Sequence, residues 1–210
     1  MILFLVFSVN NQIEMLQNDM VGTMITDHQE NAIIEFAYRI YDSLDYTHGR
    51  SHAKRTEKLA IHLAKEESAN VLVSRLGALL HQYHPERVDD VDSFLKSINL
   101  DLNLRLAIIH CVECVEPETI SNAKTIEAKI VFDADKLQTL GAYGLIREVC
   151  YRVHRDGINF DSAVEKAQEL QEIIQPLIQT VTGKKYVSEL QKEMDQFYQS
   201  FEKWSSLHFL

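Results

Sequence analysis

Apolar residues recur along this chain at intervals of three and four, a period that admits helices and little else. Ile33, Ile34, Ala37, Ile40, Tyr41 and Leu44 repeat at that spacing behind Thr26 and Gln29, which stand three apart as in a capping box, so a helix is expected over about 28–45. His48 and Gly49 interrupt it. The next helix runs to about Glu67 with His52, Thr56, Leu59 and Leu63 on one stripe. A third, over about 70–83, carries Leu72, Leu76, Leu79 and Leu80 and ends at His81, Gln82, Tyr83 and His84, ahead of Pro85. The period returns over about 90–98, where Asp89, Asp90 and Asp92 give an acidic first turn, and over about 101–114, where His110 shares a stripe with Asn103, Leu106 and Ala107. Over about 125–140, Ala128, Val131, Phe132 and Asp135 share a face, and a further helix runs from Gly141 to about His154. Two more, over 161–181 with a break at Pro176 and over 184–206, complete the series. Seven Gly and three Pro are too few for the turns of an all-β chain. The fold class is read as all-α, a compact multi-helix domain.

At 210 residues the chain buries one large core without disulfides, and no repeat, low-complexity tract or linker divides it. Residues 26–210 are read as a single domain, with the chemistry-bearing part at 28–155 and C-terminal helices over 161–206. Residues 1–25 are read as a frayed or over-called N-terminus. Their apolar start, Met1 to Val9, lacks a basic flank and a cleavage site and is too short to span a bilayer, while Met15, Met20 and Met24 offer later starts. Neither a membrane nor a nucleic acid is expected as partner, since 21 basic against 31 acidic side chains leave a net charge of -10 that repels polyanions. A small phosphorylated ligand is compatible with that charge, because a metal ion or a few cations reverse the field inside a pocket. The odd set of Cys111, Cys114 and Cys150 forms no disulfide framework, which fits a cytoplasmic location. Cys111 and Cys114 beside His110 read as a structural thiol pair, and His84 as a surface histidine. A homo-oligomer is compatible with the sequence.

Three helices, far apart in sequence, each turn one metal-ligand type of side chain inward from an apolar face: His52, His81 and Asp135. A buried carboxylate costs several kcal/mol unless paired or bound to a cation, and imidazole is the commonest nitrogen ligand of divalent metals. A shared metal would compensate all three.

The blocks containing these residues are Asp45-x-x-His48-x-x-x-His52-x-x-Arg55, Leu79-Leu80-His81-Gln82, Thr125-x-Glu127-Ala128, Asp133-Ala134-Asp135-Lys136-Leu137 and Gly141-Ala142. In order and spacing they resemble the HD superfamily of metal-dependent phosphohydrolases, closest to its small single-domain branch, over about residues 28–155. The resemblance implies a helical fold and a divalent ion (manganese, magnesium, iron or nickel) held at the positions of His52, His81, Gln82 and Asp135. It implies hydrolysis of a nucleotide or another small phosphorylated compound, with His110 as a further histidine near the substrate. His48 and Arg55, with Glu127, Asp133, Lys136 and Arg147, fall at positions that support such a site. His110, His48 and Arg55 are thus the expected catalytic residues, with His110 or His48 moving protons.

Two departures from the family pattern delete negative charge. Gln82 stands where the family has the Asp of its naming doublet, and Gln138 where close relatives carry Asp. An amide oxygen attracts a divalent ion as a dipole rather than as a charge, so weakened ion binding is expected. The residues leave two outcomes open: an HD-type hydrolase of impaired activity, or a catalytically inactive binding or regulatory protein on the same fold.

Overall fold

The computed structural model describes residues 24–207; the N-terminal segment discussed above lies outside the described residues except for Met24 and Ile25. Nine α-helices are found among the described residues: α1 (Asp27–Tyr41), α2 (Arg50–Glu66), α3 (Val71–Leu80), α4 (Val88–Ser97), α5 (Leu102–Glu113), α6 (Ile126–Lys136), α7 (Gly141–Tyr151), α8 (Phe160–Ile174) and α9 (Val181–Ser206). No strand occurs among these residues, as the period of the apolar positions requires. No helix among them is long and apolar enough to cross a membrane.

Most helix starts follow from local chemistry. Thr26 and Gln29 form the expected capping box at α1, each side chain satisfying the other's backbone N–H. Asn70, Asp101, Thr125, Asn159 and Thr180 cap α3, α5, α6, α8 and α9 with side-chain oxygens. Thr180 explains why α9 starts before the expected Lys184: its hydroxyl accepts from Gly183 N–H and fixes the first turn upstream. Several expected helices are shorter at their C-terminal ends. Helix α3 stops at Leu80 and tightens into a 3-10 turn, His81–Tyr83, and α6 does the same over Leu137–Thr139.

At the centre, α3 packs against α2, α5 and α6, and α2 also packs on α6. Leu63 of α2, Leu76, Leu79 and Leu80 of α3, Ile108 of α5 and Phe132 of α6 are fully buried there. Each such side chain contributes about 1.5–3 kcal/mol by leaving water. Gly77 lets α3 approach α5, since a Cβ there would lie 2.7 Å from Cys111 Cβ. Helix α7 packs on both α8 and α9 beside this core. Gly141 opens α7 with φ +69, a conformation that favours glycine, and a Cβ there would meet Leu190 of α9 at 2.6 Å.

The inward face of α5 is Leu104, Ile108, Cys111 and Val112, while Leu106 is exposed. The stripe of Asn103, Leu106, Ala107 and His110 therefore lies on the flank. With eight of its twelve residues apolar, α5 offers more than one stripe, and the period alone does not select between them.

Candidate metal centre

Three elements of the central group bring the inward-facing His52, His81 and Asp135 together. His52 lies in the first turn of α2, which begins directly after Gly49, and its ring is completely buried. His81 opens the 3-10 turn that follows α3, and Asp135 lies in the last turn of α6. His52 Nε2 is 3.1 Å from Asp135 Oδ1, His81 Nε2 is 3.5 Å from the same oxygen, and the two imidazole nitrogens are 3.3 Å apart. Among the described residues, no other three His, Cys, Asp or Glu side chains gather in this way.

The hydrogen bonds behind the rings decide which nitrogens carry protons. Gln138 Nε2 donates to the Ala134 carbonyl and to Thr56 Oγ1, both at 2.8 Å, so its Oε1 must face His52. His52 Nδ1, 3.3 Å from that oxygen, therefore carries the ring proton. His81 Nδ1 donates to the Ala78 carbonyl at 2.7 Å, with Tyr41 Oη 3.1 Å from the same nitrogen. In the neutral rings both Nε2 atoms then present lone pairs toward one carboxylate oxygen. Burial drives His52 down to about 4, with the pull of Asp135 opposing it, so protonation does not relieve the arrangement at neutral pH.

Three converging lone-pair donors repel one another unless a cation lies among them. Divalent first-row metals bind such donors at about 2.0–2.2 Å, which sets neighbouring ligand atoms roughly 3.0–3.5 Å apart, and the observed separations match. The residues fit a divalent ion.

Asp135 is buried and lies at a helix C-terminus, where the helix dipole disfavours an acid. Burial pushes its carboxyl up, but the Lys136 ammonium, with Nζ 2.9 Å from Oδ2, holds it well below the usual carboxylate range. Lys136 also reaches Glu116 Oε2 at 3.0 Å. Burial opposes its charge, yet Asp135 and Glu116 together keep its pKa raised.

Above the cluster opens a cleft of about 270 Å³ lined by His48, Gln82, Glu116, Lys136, Arg147 and Glu148, with Asp135 at its floor. His48 Nδ1 bonds Asp45 Oδ2 at 2.8 Å, and its ring stands edge-on to Tyr151. Arg147 is anchored by a bond from Nε to the Thr47 carbonyl at 3.0 Å. Gln82 reaches the cluster through its amide nitrogen, 3.0 Å from His81 Nε2.

Other residues singled out in the sequence do different work. His110 Nε2 accepts the Lys124 backbone N–H at 3.0 Å, and its Nδ1 lies 3.8 Å from Cys114 Sγ; it is outside the His52, His81 and Asp135 cluster. Arg55 lies over the Tyr143 ring and donates from Nε to Gln138 Oε1 at 3.4 Å, one residue removed from the ligands. Glu127 accepts from Asn70 N–H at 2.9 Å, tying α6 to the start of α3. Asp133 accepts from Gln179 N, Thr180 N and Thr180 Oγ1 at 2.7–2.8 Å, tying α6 to the start of α9. Sequence reasoning missed Tyr41 and Glu116. Tyr41 read as an ordinary apolar position of α1, and Glu116 lies between helices, where periodicity says nothing.

No family model matches the chain. Among solved structures, a Lactobacillus plantarum protein is 25% identical with a TM-score of 0.71, covering 87% of this chain and 100% of that one. A Bacillus thuringiensis protein described as an HD-superfamily hydrolase is 24% identical, with a TM-score of 0.66 over 85% of this chain and 98% of its own. Bacillus subtilis YpgQ, in complex with ADP, is 22% identical with a TM-score of 0.66, over 82% and 96%. Among curated proteins, the DNA mismatch repair protein msh-3 of Neurospora crassa is 30% identical over 115 residues, which are 54% of this chain and 9% of that much longer protein.

Proposed function

The chain has the fold of the HD superfamily, and from that premise we propose that it is a divalent-metal-dependent phosphohydrolase acting on a nucleotide or a similar small phosphorylated compound. The observation that carries this reading is the meeting of two imidazole lone pairs and one carboxylate oxygen within 3.1–3.5 Å, under a cleft that also holds Lys136 and Arg147. His52, His81 and Asp135 hold the ion. When bound, it supplies Lewis acidity toward a phosphoryl oxygen and toward the attacking water.

The chain's own residues do the rest. Lys136 and Arg147 offset phosphate charge inside a protein whose net charge is -10. His48, with Nδ1 tied to Asp45, keeps Nε2 free to move a proton at the cleft wall. His110 is the weaker candidate for that task, because its Nε2 already accepts from Lys124. The ADP in the YpgQ complex supports a nucleotide as ligand class. Mismatch repair is not carried over, since this chain spans about a tenth of that relative.

A second reading, a nucleotide-binding protein without turnover, is favoured by one observation. Asp135 is the only carboxylate in the ligand cluster, and Lys136 already neutralises it at 2.9 Å. Elemental analysis of protein purified without chelators, with phosphate release from nucleoside di- and triphosphates in added Mn²⁺, tests both. Turnover lost in His52→Ala supports the hydrolase. ADP binding with no turnover in any divalent ion supports the second reading, and neither binding nor turnover defeats both.

A further inference from the structure

The lone pair of His81 Nε2 is contested. On one side it faces Asp135 Oδ1 and His52 Nε2; on the other the Gln82 amide nitrogen lies 3.0 Å away. Because His81 Nδ1 is the donor to Ala78, Nε2 of the neutral ring is an acceptor, and only the –NH₂ end of the Gln82 amide can satisfy it. The two residues are adjacent in a tight 3-10 turn, so the amide is never far from this lone pair. Gln82 is half-buried and lines the cleft, between the ligand cluster and solvent.

We propose that Gln82 caps His81: its amide occupies the lone pair that a divalent ion needs, so the ion enters only by displacing it, and this contact lowers the chain's affinity for the ion. The proposal rests on the metal-site reading above. It differs from treating residue 82 as a weak ligand, because the two roles have opposite consequences for truncation. An Asp at this position has no hydrogen to donate when ionised, so it cannot compete for the lone pair and adds a negative charge instead. The change from acid to amide thus converts a group that attracts the ion into one that competes with it.

Calorimetric titration of the full chain with Ni²⁺, comparing wild type, Gln82→Ala, Gln82→Asp and His52→Ala, provides the test, with thermal melting to establish that each variant is folded. The cap predicts that Gln82→Ala binds Ni²⁺ about two- to tenfold more tightly than wild type, the span expected for release of one hydrogen bond. Gln82→Asp binds more tightly still, and His52→Ala more weakly. Weaker binding by Gln82→Ala makes Gln82 a ligand and overturns the cap while leaving the metal site intact. Equal affinity means the contact has no weight and also overturns it. Failure of wild type and both Gln82 variants to bind removes the metal-site reading, and the cap with it.

Discussion

His52 Nδ1 donates to Gln138 Oε1 across 3.3 Å, and this contact between α2 and the turn after α6 sets which ring nitrogen meets Asp135. Gln138 has no freedom to turn its amide over, because its nitrogen is committed to Ala134 and Thr56. Where the resemblance implies Asp, Gln138 preserves the acceptor behind His52. It adds a donor that locks the amide in place.

Replacing Gln138 by Leu keeps the volume and removes both functions. His52 then has no partner fixing its tautomer, and the loss of such an outer contact typically weakens metal binding 10- to 100-fold. Ni²⁺ affinity of Gln138→Leu, measured by calorimetry, is expected to fall by that factor. Stability is expected to drop by about 1–3 kcal/mol for the unpaired polar groups left behind. An affinity equal to wild type would show that the ring is oriented by packing alone.

The grouping of His52, His81 and Asp135 is legible in the sequence because each interrupts an apolar stripe: His52 among leucines, His81 after Leu79 and Leu80, Asp135 beside Val131 and Phe132. The helices were legible for the same reason. What periodicity does not carry is which residue stands behind a ligand. Gln138 looked like a lost charge, and only its fixed amide orientation reveals it as the support of His52. For His110 the period of α5 gives a stripe but no unique direction, because eight of the helix's twelve residues are apolar. Asp133 and Glu127 share a motif with the ligands yet serve backbone N–H groups of other helices, a distinction that requires knowing where those helix ends lie.

Asp133 gives a prediction that separates fold from site. It receives two backbone N–H groups and one hydroxyl at 2.7–2.8 Å, and so pins the start of α9 to α6. In Asp133→Asn one oxygen becomes a donor facing donors, with an expected cost of about 2–4 kcal/mol in chemical unfolding. Ni²⁺ affinity of the folded fraction is expected to stay near wild type, because no ligand bonds to this carboxylate. Unchanged unfolding midpoints would mean that the α9 start is held by other contacts.

Thiol chemistry follows from burial. Burial raises Cys111 far above the usual thiol range, and it takes Cys114 to about 11 with Glu113 adding to the effect, while Cys150 is exposed. The thiolate is the reactive form, so a disulfide reagent near pH 8 is expected to titrate one thiol in the native chain and three after denaturation. Rapid reaction of two or more native thiols would contradict the packing of α5 against α3.

Acid stability depends on histidines held neutral. Burial lowers the pKa of His110, and Lys124 nearby lowers it further, so the folded chain takes up a proton there less readily than the unfolded chain, whose His titrates near ~6.5. Above that value both forms are neutral and the group contributes no pH dependence. Below it the unfolded chain gains the proton first, and stability falls with pH until the folded value is passed. His52, at about 4 through burial, acts in the same direction, so His110 accounts for only part of the slope. In His110→Gln the carbonyl of the new amide can still accept the Lys124 N–H while the titration is gone. Urea unfolding from about pH 7.5 to about pH 5 is therefore expected to show wild type losing stability relative to His110→Gln as the pH falls, with the difference constant above about pH 7. A difference that stays flat over the whole range would place the His110 pKa at its unfolded value and the ring in water.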